Sequence, residues 1–173
     1  IRYSSSLGKN AKVLLPKIRK LGLEGLIGKR ADSVYEPGRR SGAWIKLKLL
    51  QEQEMVIGGY TDPEGSRKNL GALLIGFYEG KKLKFAGKVG TGFTEAILDS
   101  LYSQLEKLGA SACPFSDFPR QELKHCHWVK PSLVCQVKFS EWTQDGKLRQ
   151  PVYLGLREDK DAADVVREKA AQS

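Results

Sequence analysis

"GALLIGFYEGKKLKFAGKV", residues 71–89, decides the fold. Two strand-like runs, 71–78 and 82–89, flank a short Glu79-Gly80-Lys81 turn, which is the signature of an antiparallel hairpin. Upstream, "QEMVIGGYT" (53–61) reads as another strand. Downstream, Ile97, Leu98, Leu101, Tyr102, Leu105 and Leu108 recur at helical spacing, with Thr94 placed to cap the start and Gly109 to end the helix. A loop rich in turn residues (110–131) leads to "SLVCQVKFSEW" (132–142), where Leu133, Cys135, Val137 and Phe139 alternate with Val134, Gln136, Lys138 and Ser140. The turn "QDG" then delivers the strand "KLRQPVYLGL" (147–156), and 161–171 reads as a terminal helix. Three strands, a helix and two strands predict a mainly β fold with helices, an α+β chain built on a small closed β-barrel of OB type.

The first 50 residues are organised differently. A helix-like stretch near 9–21 precedes "GLEGLIGKR" (22–30), which reads as a strand, and "SVYEPGRRSG" (33–42), a Pro/Gly turn with two adjacent arginines. In "AWIKLKLL" (43–50) alternation puts Ala43, Ile45, Leu47 and Leu49 on one face, and Trp44, Lys46 and Lys48 on the other. The two lysine Cα atoms are then about 6.8 Å apart, so both ammonium groups can reach one polyphosphate, whereas without an anion they repel. The opening residues enter mid-pattern from Ile1, and the one methionine is Met55, so the chain is expected to be an excised piece.

Charge distribution points the same way as this strand. The formal net charge is +9. Residues 1–50 contain 12 Lys and Arg against Glu24, Asp32 and Glu36, while residues 51–173 hold 17 of each sign. The whole excess lies in the first 50 residues, interleaved with Tyr3, Tyr35 and Trp44, and polyanion binding is its natural use. The longest apolar run, "LGALLIGFY" (70–78), is far short of the roughly 18 residues that cross a bilayer, and no secretory leader pattern is present. Three cysteines, an odd count, argue against a disulfide framework and for a reducing, cytoplasmic setting.

"LEGLIGKR" (23–30), "SGAWIKLK" (41–48) and "LRQPVYLGLREDK" (148–160), in that order and spacing, resemble motifs IV, V and VI of ATP-dependent DNA ligases. "GKVGTGF" (87–93) is similar to the stretch that opens the OB-domain helix of those enzymes. "YEPGRRSGAWIKLK" (35–48) and "HWVKPSLVCQVKFSEWT" (127–143) most resemble the ligase domain of bacterial end-joining ligases.

The resemblance implies two domains: residues 1–50 as the C-terminal strands of the adenylation (nucleotidyltransferase) domain, and residues 51–173 as the OB-fold domain carrying motif VI. It implies Glu24 as a metal ligand, a hard oxygen suited to Mg2+ or Mn2+. Lys46 and Lys48 match the motif V lysines that contact the adenylate phosphate. Arg157 and Lys160 match the motif VI positions that orient the leaving pyrophosphate, and these four are the implied catalytic set. Lys29 and Arg149 join them as nucleotide-binding residues. Arg39, Arg40, Arg67 and Lys88 are candidates for DNA backbone contacts. ATP is the implied cofactor. Duplex DNA with nicks or breaks, and end-joining proteins such as Ku, are the implied partners, with no membrane and a nucleoid-associated cytoplasmic location.

The family forms a covalent lysyl-adenylate on the Lys of K-x-D-G, and that motif does not occur here: the one Asp-Gly, Asp145-Gly146, follows Thr143 and Gln144. The chain by itself is expected to be inactive and to supply DNA binding and part of the nucleotide site. His125, Cys126 and His127 with Cys113 and Cys135 lack the spacing of a zinc cluster. Glycines 87, 90 and 92 read as a turn before the helix rather than a phosphate loop. Capping enzymes share the same domain pair but not the wording of motif VI, and the other reading is a non-catalytic OB module that binds nucleic acid.

Overall fold

A computed structural model describes residues 6–21, 23, 25–34, 36–39, 41–63, 65, 68–122 and 124–168. The chain divides into two compact units, the first within residues 1–50 and the second Gln51–Glu168.

In the first unit, helix α1 (Ala11–Lys20) starts at Asn10, whose side chain accepts from the amide of Lys12 at 3.0 Å. The pairing satisfies one of the orphan donors of the first turn. Strands β1 (Gly25–Lys29) and β2 (Trp44–Lys48) form a two-stranded antiparallel sheet in the register Lys29↔Trp44, Ile27↔Lys46, Gly25↔Lys48. Directly paired residues share a face. Lys29, Trp44, Lys46 and Lys48 therefore lie on one face, and Leu26, Ile45 and Leu47 on the other.

Among its described residues the second unit holds six strands: β3 (Gln51–Thr61), β4 (Leu73–Glu79), β5 (Lys82–Val89), β6 (Gly109–Ala110), β7 (Cys126–Phe139) and β8 (Val152–Leu156). Their order is β5-β4-β3-β7-β6, and β8 also pairs with β7, all antiparallel. The expected hairpin is β4–β5. Strand β3 is central and buried on both faces from Met55 to Tyr60. Helix α2 (Glu95–Lys107) packs Leu98, Leu101 and Leu105 into the core, capped by Thr94 accepting from the Ile97 amide at 3.3 Å.

Four expectations need correction. The sheet is not a closed barrel. Across the gap between β5 and β8 run single bonds, Leu148 N–H to Ala86 O at 2.8 Å and Tyr153 N–H to Thr91 O at 2.9 Å, with no ladder. The stretch 110–131 is not all loop, because β7 begins at Cys126. Its register jumps from Ile57↔Leu133 to Gly59↔Trp128, and this bulge places Pro131 where no ladder donor is needed. Helix α2 ends on Leu108, and Gly109 opens β6 rather than capping in a left-handed turn. After motif VI, residues 161–168 hold one 3-10 turn, Ala162–Asp164, in place of the expected helix, whose last part, 169–171, lies outside the described residues.

Beyond that turn the chain runs as a strap along the sheet, with Val165 buried. Tyr78 N–H donates to Val165 O at 2.7 Å, Gln53 Nε2 donates to Val166 O at 3.0 Å, and the Glu168 amide donates to Gln53 Oε1 at 3.3 Å. Arg167 lies over the Trp142 ring at 4.4 Å. A second structural device is the floor under Phe115, made by Gly58 and Gly76. A Cβ on Gly58 would come within 2.5 Å of the Phe115 ring. One on Gly76 would come within 2.8 Å of that ring and 2.1 Å of the Lys84 carbonyl oxygen. Glycine is required at both positions because backbone and ring approach so closely.

Candidate functional site

Each unit carries a cluster of the anticipated residues. In the first, the hairpin face presents three ammonium groups. Lys29 Nζ sits 4.1 Å from the centroid of the Trp44 ring, its direct cross-strand partner, a cation–π arrangement that fixes where this lysine stands. Lys46 and Lys48 follow along β2 on the same face, and all three lysines are exposed. The alternation of apolar and cationic residues in "WIKLK" is what produces this face, because a strand turns successive side chains to opposite sides. Arg39 is exposed in the turn before β2. Glu24, Arg40 and Arg67 lie outside the described residues. Among the described residues no three His, Cys, Asp or Glu side chains converge as a metal site.

In the second unit the motif VI side chains meet an acid that sequence patterning does not single out. Arg157 Nη1 is 3.1 Å from Glu54 Oε1, and Lys160 Nζ is 3.4 Å from Glu54 Oε2. Arg157 also forks onto Asp159, with Nε to Oδ1 and Nη2 to Oδ2 both at 2.9 Å, and Nη1 donates to Gln136 Oε1 at 3.4 Å. Hydrogen bonding to Arg157, aided by the loop backbone, pulls the Asp159 carboxyl down to about 2, and the same fork raises Arg157 further above its usual range. The cluster is built by register. Glu54 pairs across to Gln136 on β7, and Gln136 to Gly155 on β8, two residues before Arg157.

The remaining candidates belong to other pairs. Arg149 Nη1 donates to Glu141 Oε1 at 2.6 Å, and Lys88 Nζ is 2.7 Å from Glu122 Oε2. His125 and His127 both face Asp62, with Nδ1 to Oδ2 at 3.0 Å and Nε2 to Oδ1 at 2.6 Å, and these bonds, His127's foremost, hold the Asp62 carboxyl below its usual range. The three cysteines are free thiols, and burial pushes Cys135 up to about 12.

The residues missed at the sequence level are Glu54, Asp159 and Gln136. Asp159 had a signal, since it stands between the two cations of "REDK". Glu54 had none, because an acid near the start of a strand reads as a solvated position.

Residues 66–160, more than half of the chain, match the family described as ATP dependent DNA ligase C terminal region, and residues 3–48 match the ATP dependent DNA ligase domain. The chain is 46% identical over 175 residues to the multifunctional non-homologous end joining protein LigD of Pseudomonas aeruginosa, covering 99% of this chain and 21% of that protein. It is 47% identical over 152 residues to the corresponding Mycobacterium tuberculosis protein, covering 87% and 20%. The chain thus spans about a fifth of the length of the curated relatives it matches. Among solved structures, the ligase domain of M. tuberculosis LigD aligns with a TM-score of 0.68 at 44% identity, covering 94% of this chain and 53% of that one. A mycobacterial DNA ligase D complexed with ATP and MES aligns with a TM-score of 0.63 at 42% identity, covering 94% and 52%.

Proposed function

The chain belongs to the ATP-dependent DNA ligase family, and on that premise we propose that it is the C-terminal part of a ligase domain that seals strand breaks through lysyl-adenylate and DNA-adenylate intermediates. In this proposal residues 1–50 complete the adenylation domain and residues 51–173 form the OB-fold domain. The nucleophilic lysine comes from a K-x-D-G segment outside this chain.

The observation that carries the proposal is the single exposed hairpin face holding Lys29, Lys46 and Lys48. Nucleotidyl transfer is catalysed mainly by holding reactants in line and neutralising charge as it moves between phosphate oxygens, and three ammonium groups on one face suit that task. Lys46 and Lys48 contact the phosphate that becomes the adenylate, and Lys29 steadies the nucleotide from the Trp44 end of the row. ATP supplies the AMP and the leaving pyrophosphate. Arg157 and Lys160 orient that pyrophosphate, with Arg149 as a further nucleotide contact. Glu24 is assigned to a divalent metal, Mg2+ or Mn2+, as a hard oxygen donor.

Nicked or broken duplex DNA is the proposed substrate, touched along its backbone by Arg39, Arg40, Arg67 and Lys88, the last exchanging Glu122 for phosphate. The relatives are end-joining proteins by name, so an end-joining partner such as Ku and a cytoplasmic, nucleoid-associated location belong to the same proposal. Among the described residues no helix is long and apolar enough to cross a membrane.

The test has two arms. Incubated with ATP and Mg2+, the chain of residues 1–173 gains no AMP mass. With the missing N-terminal part of the ligase domain restored, the protein is adenylated and seals nicked duplex. A stable AMP adduct on the isolated chain, or a restored protein that neither adenylates nor seals, overturns the reading.

A further inference from the structure

We propose that Glu54 is a positioning residue for motif VI, holding Arg157 and Lys160 as one aligned pair toward the leaving pyrophosphate. The inference rests on the ligase reading above.

Glu54 divides its carboxylate between the two cations, Oε1 to Arg157 and Oε2 to Lys160, and its side chain is only 19% exposed. Two cations brought this close repel unless an anion stands between them, and the repulsion grows where solvent is partly excluded. Glu54 removes that repulsion and sets their spacing at the same time. It acts from β3, while Arg157 follows β8, and Gln136 on the intervening β7 grips the same Nη1. Three strands therefore fix one guanidinium.

Donor accounting shows what is left for a phosphate. Of the five Arg157 N–H groups, Nε and one on Nη2 go to Asp159, and the two on Nη1 face Glu54 and Gln136. Among the described residues, one Nη2 hydrogen and two of the three on Lys160 Nζ remain, and both groups are anchored to the same carboxylate. With Arg157, Lys160, Glu54 and Asp159 all ionised, the cluster has no net charge. It therefore favours a phosphate by directed donors rather than by bulk attraction, which is the condition for acting on the transition state more than on bound ATP.

The experiment uses the ligase domain with its N-terminal part restored. Glu54→Gln keeps the shape of the side chain, removes its charge and leaves the cluster with one net positive charge. Self-adenylation should fall in kcat by about 10-fold to 10²-fold, the loss typical of a misplaced catalytic group. KM for ATP should not rise, and inhibition by added pyrophosphate should strengthen because of the added charge. Sealing of pre-adenylated nicked DNA should be unchanged. In an Arg157→Ala/Lys160→Ala background Glu54→Gln should have no further effect, since the groups it positions are gone. Should Glu54→Gln fail to fold, Glu54→Asp, which keeps the charge but is one methylene shorter, carries the same kcat-against-KM test. Adenylation that is unchanged or faster overturns the inference, as does an equal loss in both steps with a lower melting temperature. If Arg157→Ala itself leaves adenylation intact, the fault lies in the assignment of motif VI and not in Glu54.

Discussion

Arg157 and Asp159 face each other through two hydrogen bonds of 2.9 Å, so one carboxylate fixes the plane of the guanidinium two residues before it. Bidentate pairing of this kind adds direction as well as energy. Because the aspartate is held at about 2 in the folded state, chiefly by its bonds to Arg157, the sign of its linkage is defined. The stabilisation is fully present above the ordinary aspartate value of about 3.9 and is lost as pH falls through about 2. Melting temperatures recorded from pH 5 to pH 2 should decline less steeply for Asp159→Asn than for the native chain. Superimposable profiles would mean that the fork contributes nothing to folding.

The two clusters should separate the steps of the reaction. In the restored ligase domain, Arg157→Ala or Lys160→Ala should reduce self-adenylation by about 10²-fold or more, the loss expected for a preorganised charge contact, while sealing of pre-adenylated DNA survives. Lys48→Ala should impair both steps. Equal losses in both steps for the motif VI variants would assign those residues to the nick itself, or to holding the fold.

DNA binding should follow the charge excess of residues 1–50. Affinity for nicked duplex should be weak, largely indifferent to sequence and steeply dependent on salt, and Arg39→Glu with Arg40→Glu should flatten the plot of log affinity against log salt. An unaltered slope would place the phosphate contacts elsewhere.

Gly76→Ala tests the floor under Phe115. The new methyl would meet the Lys84 carbonyl oxygen as well as the ring, so repacking Phe115 alone cannot relieve it. Urea unfolding should give a stability loss of about 1–3 kcal/mol, as overpacking does, with the denaturant slope unchanged. A neutral result would show that the β4–β5 ladder yields more readily than the geometry implies.

Local pattern carried much of the fold. Strand β5 begins and ends where its alternation and turn place it, Thr94 caps α2, and the shared face of Lys46 and Lys48 follows from strand period alone. What local pattern could not carry is register. The bulge that draws "HWVKP" into β7, where a proline and mixed polarity read as loop, depends on how far β3 slides past its neighbour. The open edge between β5 and β8 depends on the same kind of long-range fit. Glu54 was illegible for that reason too, because its partners lie about a hundred residues away in the chain and reach it only after three strands align. Glu24, by contrast, rests on the motif IV resemblance alone and lies outside the described residues.

The strap that follows motif VI has a mechanical meaning. Residues 157–160 leave β8 on one side and are drawn back to β3, β4 and Trp142 on the other through Val165, Val166 and Arg167. The segment is a short span resting on two abutments rather than a cantilever, and a load on its cations passes at once into the sheet. Any excursion of Arg157 and Lys160 relative to the sheet must then strip one of these anchors, the Tyr78–Val165 or Gln53–Val166 bond on the far side or the Glu54 contacts on the near side.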